Sequence, residues 1–338
     1  MNAGFKGRVR GAALLFAALA LCACGGSLQV MRNPSASLPS VKKVAVVPFG
    51  TAPAQARITG EWETLLLSLG YRVVERENIE PLLKEQGLSI NGIVNPSEAP
   101  KIGEILGVDG LVMGRPNTRE PYYSYSMTGA AKISEPAPVS VKLLDAATAR
   151  VVWSVSNEKE EALNVAREGR AVNSRLKNSL EGTLKEGGWK AAQPPYKESS
   201  GAAIAFNSGL RAEKGMRVGA YAFAGGNDNG DGGAWADKAA SMLLKAGYDV
   251  VDRQQLEKII QEQKLSASGA TRAQDMAQLG KIAGLRAVLM GTASGGQVCA
   301  YHVKLVDVET GELYWSAYGE DCRLDQFSEL VGTGFSGH

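Results

Sequence analysis

The stretch Gly247–Leu265, GYDVVDRQQLEKIIQEQKL, decides how the rest of the chain is read, because Gly70–Leu88, GYRVVERENIEPLLKEQGL, repeats it almost word for word. A segment that recurs at a fixed spacing marks a structural unit that recurs, so self-similarity is sought before motifs. At a constant offset of 177, residues 65–114 lie over residues 242–291 without a gap, and roughly a third of the positions are identical. Gly70/Gly247, Arg76/Arg253, Gly107/Gly284 and Gly114/Gly291 are among them. The match resumes at an offset of 162, where Leu143–Trp153 (LLDAATARVVW) lies over Leu305–Trp315 (LVDVETGELYW). Upstream, VKKVAVVPF from Val41 faces KGMRVGAYAF from Lys214. One fold is written twice.

Each copy can then be used to read the other. VKKVAVVPF predicts a buried first strand. Trp62, Leu65, Leu66 and Leu69 fall on one helical stripe, matched by Met242, Leu243 and Ala246. YRVVE and YDVVD are short β-branched strands. Helices follow on Ile79, Leu82 and Leu83 or Leu256, Ile259 and Ile260, then on Ile102, Ile105 and Leu106 or Leu279, Ile282 and Ala283. DGLVMG and RAVLMG predict a buried strand, and each copy closes in a hairpin turning at DAATAR or DVETGE. The sum is two tandem copies of a three-layer α/β sandwich domain with a mixed sheet. A charged helical segment, Asn157–Gly187, joins them and packs on the first copy.

The N-terminus sets the compartment. FKGRVRGAALLFAALALCACGG has a basic start and an apolar run from about Ala12 to Leu21, too short to span a bilayer. It reads as a signal peptide. Leu21-Cys22-Ala23-Cys24 resembles a bacterial lipobox, which implies cleavage before Cys24 and acylation of that cysteine; Gly25, in place of an Asp, implies sorting to the outer membrane. Each buried acyl CH2 contributes about 0.8 kcal/mol of anchoring. The expected boundaries are a signal peptide at 1–23, a flexible tether at 24–40, a first domain at 41–187, a linker at 188–212 and a second domain at 213–338. A Gly/Ser/Pro-rich tether of this length reaches roughly 20–25 Å.

Composition excludes more than it proposes. Formal net charge is +2, and Lys6, Arg8 and Arg10 of the leader account for it. A near-neutral mature chain carries no electrostatic footprint for nucleic acid. The two histidines, His302 and His338, have no nucleophile nearby in sequence, and no phosphate-loop or dinucleotide spacing occurs. His302 reads as a structural or surface histidine. No catalytic residue, cofactor or metal is expected. Asn227–Gly232 (NDNGDG) opens like a calcium loop, but Lys238 stands where a bidentate Glu is needed, so it reads as a solvated loop.

Two features are left. Cys299 and Cys322 flank the DVETGE hairpin, and a two-residue turn at Thr310-Gly311 places them opposite each other. A longer loop shifts that register. In an oxidising compartment a structural disulfide is expected, contributing about 3 kcal/mol. Glu75-Arg76 and Asp252-Arg253 are the charged motif shared by both copies: a strand end with a surface ion pair, or a partner-docking point repeated twice.

At YRVVERENIEPLLKEQGL…KIGEILGVDGLVMG, and again in Thr310–Glu312 (TGE), the chain resembles the curli production assembly/transport lipoprotein family. The resemblance covers both halves and implies a CsgG-like or TolB N-terminal-like domain. It also implies an outer-membrane, periplasm-facing lipoprotein that binds membrane through its lipid and a protein partner through its domains, and it leaves homo-oligomerisation open. The family's channels insert two long amphipathic hairpins; here Gly114 and Val139 are only about 25 residues apart, the second copy is 15 residues shorter at this place, and a spanning strand alone needs about 9–11 residues. The expected role is therefore a non-enzymatic scaffold in assembly or export of a cell-surface structure. A regulator of a periplasmic cell-wall synthase is the first alternative and a secretion-channel subunit the second.

Overall fold

A computed structural model describes residues 28–49, 53–75, 96–115, 122–126, 129–133, 137–157, 163–165, 174–190, 196–199, 202–221, 224–225, 232–251, 253–262, 273–294 and 300–320. The first copy is built from β1 (Leu28–Arg32), β2 (Lys43–Val46), α1 (Pro53–Ser68), β3 (Arg72–Val74), α2 (Ala99–Leu106), β4 (Gly110–Arg115), β5 (Tyr122–Ser126), β6 (Gly129–Ile133), β7 (Ser140–Asp145), β8 (Val151–Asn157) and α3 (Ser174–Glu186). The second copy comprises β9 (Tyr196–Ser199), β10 (Ala202–Phe206), β11 (Arg217–Ala220), β12 (Ala224–Gly225), α4 (Gly232–Ala246), β13 (Asp249–Val251), α5 (Arg253–Glu262), α6 (Ala273–Ala283), β14 (Ala287–Ser294), β15 (Ala300–Asp307) and β16 (Leu313–Glu320).

The duplication holds in topology. The first sheet runs β1-β8-β7-β4-β2-β3 and the second β9-β10-β16-β15-β14-β11-β13, so the two orders coincide apart from β9. β2 pairs in parallel with β3 and β4, as β11 does with β13 and β14, and in each sheet a three-strand antiparallel meander leads on toward the far edge. The hairpins bulge at equivalent places, Leu143/Leu144 and Leu305/Val306. Trp153 and Trp315 are buried, and each indole N–H donates to an equivalent tyrosine, Tyr71 or Tyr248. The shared glycines Gly107 and Gly284 sit just past α2 and α6 at φ of 61° and 65°, the left-handed helix ending that a side chain disfavours.

Four expectations are corrected. The tether ends before Leu28: Leu28–Arg32 is an edge strand on β8, and Leu38 is buried in a short 3-10 turn. Its alternation, with Leu28 and Val30 inward and Gln29 and Met31 outward, is the two-residue period of a strand, hidden beside the Gly-Gly-Ser that precedes it. The linker is also shorter, because β9 and β10 fall inside 188–212 and complete the second sheet. Ile282, one of the apolar positions that predict the last helix, does not turn inward with Leu279 and is 44% exposed. The hairpin turn spans four residues, with Gly311 N–H donating to the Asp307 carbonyl, so Ala300 pairs with Glu320 and not with Asp321 as a two-residue turn would require. The helix expected on Ile79, Leu82 and Leu83 lies outside the described residues.

The layers do more than repeat. In the first copy α1 and α3 cover one face of the sheet and α2 the other. In the second, α4 occupies the place of α1, and α5 and α6 cover part of the opposite face. The rest of that face is covered by α1 of the first copy, which packs against β10, β14, β15 and β16. One helix thus serves two sheets, and the largest core cluster runs through both copies.

Candidate functional site

The junction under α1 holds the most unusual chemistry of the described residues. From Ile58 to Leu67 every residue of the helix is buried, yet the sequence there is not uniformly apolar. Ile58, Trp62, Leu65 and Leu66 form one stripe, and Trp62 meets Phe49 of the first copy edge-on at 6.2 Å. Gly60, Glu63, Thr64 and Leu67 form the other stripe, at spacings of three and four that also align along a helix. This second stripe faces a row of polar side chains on the second sheet. Lys304 of β15 lies 3.3 Å from Glu63 Oε2 and also pairs with the Glu75 carboxylate. Thr64 Oγ1 lies 2.8 Å from Ser316 Oγ, and His302 Nε2 lies 2.8 Å from the same hydroxyl. A Cβ on Gly60 would overlap the His302 ring, so glycine is what lets the helix sit this close.

Glu63, Lys304 and Glu75 are 1%, 0% and 4% exposed, an acid–base–acid cluster sealed from solvent. Removing charges from water costs several kcal/mol per ion, and mutual attraction returns it only when each charge has partners at contact distance. Here the cation of one copy is held between two carboxylates of the other. The arrangement fixes the register of docking. It is not a catalytic triad: Glu63 approaches the same ring nitrogen of His302, at 3.9 Å, that faces Ser316, so the acid does not orient the second nitrogen, and the serine is fully buried. Among the described residues no three His, Cys, Asp or Glu side chains are placed to hold a metal ion.

The rim of the junction is closed by backbone and a second ion pair. Val74 forms an antiparallel bridge with Glu312, and Glu75 N–H donates to the Gly311 carbonyl at 2.8 Å. Arg72 holds Glu312 with two bonds, Nε to Oε2 at 3.0 Å and Nη2 to Oε1 at 2.5 Å, and Lys43 approaches at 3.4 Å. The Glu312 bond, followed by its charge and that of Asp109, raises the Arg72 pKa against the opposing effect of burial. The turn that carries Glu312 is set by Asp307. Burial pushes this carboxyl up, but the Thr310 amide and hydroxyl, the Tyr314 hydroxyl and the Arg286 charge together hold it below the ordinary range.

Of the residues singled out in the sequence, Glu75 is engaged inside the chain, with the second copy as its partner, and is withdrawn from any outward docking surface. Arg253 pairs with Glu257 at 2.6 Å and Asp237 at 3.4 Å. Arg76, Asp252, Cys24, Cys299 and Cys322 lie outside the described residues, as does all of the Asn227–Gly232 loop except Gly232, which opens α4. His302 is fully buried, bonded to Ser316 and packed against α1, and the junction around it carries no local pattern in the sequence. The available signal was small: His302, Lys304 and Ser316 interrupt strands otherwise rich in apolar residues, on the face where α1 lands.

Fold and site together define a duplicated α/β protein whose buried polar cluster joins its halves. The chain belongs to the CsgG family of curli production assembly/transport components, whose model matches residues 62–183 and 227–302, more than half of the chain. No curated protein matches it in sequence. Among solved structures it is similar to the LpoB C-terminal domain from Salmonella enterica, at 23% identity over 34% of this chain and 86% of that one, with a TM-score of 0.28. It is also similar to the PelC dodecamer from Paraburkholderia phytofirmans (18%, 40% and 99%, TM-score 0.27) and to lipoprotein GNA1162 from Neisseria meningitidis (22%, 35% and 91%, TM-score 0.27).

Proposed function

We propose that the protein is an outer-membrane lipoprotein, anchored through Cys24 on the periplasmic side, that acts as a non-enzymatic protein-binding scaffold in assembly or export of a cell-surface structure. The observation that carries this reading is the family match across both copies. The lipobox-like Leu21–Cys24 supports the anchor. A sealed junction supports a scaffold, because its ionisable groups are spent on holding two domains together. In an oxidising compartment Cys299 and Cys322, on either side of the hairpin, form a structural disulfide, although the four-residue turn pairs Ala300 with Glu320 and removes the opposed register of a two-residue turn as its support.

The channel reading draws less support. Only about 25 residues separate Gly114 from Val139, where the family's channels insert two long hairpins and each spanning strand needs about 9–11 residues.

The test is photo-crosslinking in the intact envelope followed by identification of the captured protein, with radiolabelled palmitate incorporation as a first step. Labelling that is lost in Cys24→Ala, together with capture of an assembling surface protein, supports the proposal. Capture of a peptidoglycan synthase supports the regulatory alternative, and absence of labelling removes the anchor. For the disulfide, thiol reagent reacting with both cysteines in unfolded, unreduced protein is the outcome that removes it.

A further inference from the structure

The junction holds a nucleophile as well as a charge. Lys304 is fully buried, in contact with the carboxylate of Glu75 and 3.3 Å from that of Glu63, and both acids are buried with it. The backbones that carry these groups are fixed against each other. Glu75 N–H donates to the Gly311 carbonyl at 2.8 Å and Val74 bridges Glu312, so the strand end bearing Glu75 is tied to the hairpin bearing Lys304. Lys304 sits inside the ladder, paired with Met290 on one side and Ser316 on the other. Glu63 is held by α1, whose next residue, Thr64, lies 2.8 Å from Ser316. An amine and a carboxyl fixed in contact, with a second carboxylate beside them and water excluded, are what direct amide formation requires.

We propose that Lys304 and Glu75 join in an isopeptide bond that links the two copies covalently, with Glu63 carrying the proton. The ion pair is the form that precedes the reaction, and the step needs no oxidant and no co-reactant. The Lys304 ammonium passes a proton to the Glu75 carboxylate, which leaves a neutral amine beside a carboxylic acid. The Nζ lone pair adds to Cδ of Glu75, forming the N–C bond. The Glu63 carboxylate takes a proton from Nζ and returns it to a hydroxyl on Cδ. The C–O bond then breaks, one water leaves, and Glu63 is a carboxylate again. The total charge of the cluster is unchanged, but two buried charges have become a neutral amide whose N–H faces Glu63. Exchanging a buried ion pair for a neutral group removes its desolvation cost, which is the driving force. The duplication supplies an internal control. Lys142 is the counterpart of Lys304 on the first sheet, but it is only half-buried and lies outside the sealed cluster, so it stays a free amine.

The test is tryptic digestion of the reduced, alkylated full chain followed by mass spectrometry. Trypsin cuts after Lys and Arg, and an amide at Lys304 blocks the cut. The expected product is residues 287–323, uncut at Lys304, joined to Val73–Arg76 (VVER), and lighter by one water than the two peptides together. The free peptide 287–304 is lost, whereas cleavage after Lys142 is unaffected. Lys304→Arg keeps a cation without a primary amine and is expected to give only separate peptides. Glu63→Gln keeps the shape of the side chain but not its proton affinity, and is expected to slow linkage on the order of a hundredfold. A wild-type digest that yields 287–304 and 73–76 only as free peptides overturns the proposal, and it decides the matter even where a variant fails to fold. So does a link that maps to Glu63, or a folded Glu63→Gln variant that links as fast as wild type.

Discussion

At the scale of single residues the two copies act as controls for each other. Ala149 and Gly311 occupy the same place at the end of the hairpin turn, with φ of 56° and 69°. Both amides donate back to an aspartate carbonyl, Asp145 or Asp307, so the turn demands the left-handed conformation whichever residue is there. Holding it costs a residue with a Cβ about 1–2 kcal/mol, part of which glycine gives back through its freer unfolded chain. Ala149→Gly is therefore expected to stabilise the protein by about 0.5–1 kcal/mol, and Gly311→Ala to destabilise it by about 1 kcal/mol. Urea unfolding at fixed m-value reads both, and equal effects of the same sign would remove the strain argument. Much at this scale was legible in the sequence: the glycines that recur at Gly107 and Gly284 recur because their conformation does. The four-residue turn was not legible, since DVETGE is compatible with more than one loop length and only the bulge at Leu305/Val306 fixes the register.

At the scale of elements, α1 separates what sequence reveals from what it hides. Its apolar stripe has the helical period and is legible in the sequence. Its second stripe looks like a solvated flank, because Glu63 and Thr64 are polar and their partners lie about 240–250 residues away in a segment that is itself unremarkable. Pairing across that distance leaves no local pattern. The closeness of the helix to β15 gives a test in which two effects oppose. Gly60→Ala improves helix propensity by about 1 kcal/mol, but the new methyl overlaps the His302 ring. Buried on both sides, the ring has nowhere to go, and overpacking of this kind costs about 1–3 kcal/mol. A net loss is expected, recovered when His302→Ser is added; a net gain from Gly60→Ala alone would mean that the junction is looser than described. Lys304→Met is expected to cost about 3–5 kcal/mol, because it leaves Glu63 and Glu75 buried side by side without a cation. Thermal melts of the variant against wild type read the loss, and a melting temperature that does not move would show that the cluster is not sealed.

At the scale of the whole molecule, the two tandem domains and the linker expected between them share one continuous core. Val44, Trp62, Leu180, Ala205, Val288 and Tyr318 belong to the same buried cluster, though they come from both copies and from the segments read as connecting. The reason is the sharing of α1. Taken alone, the second sheet would present His302, Lys304, Ser316 and Met290 to water with no helix over them. Taken alone, the first copy would expose Gly60, Glu63, Thr64 and Leu67. Neither half has a complete set of layers without the other. Independent domains unfold in separate steps, whereas halves that share a core unfold together. Calorimetry of the full chain is therefore expected to show one transition, with calorimetric and van't Hoff enthalpies in a ratio of about one. Arg72→Ala, which removes only the rim pair with Glu312, should move that single transition without splitting it. Two resolved transitions in the wild type would show that the cluster around Lys304 is a contact between finished domains. One transition makes it the point at which a duplicated gene product became a single cooperative unit.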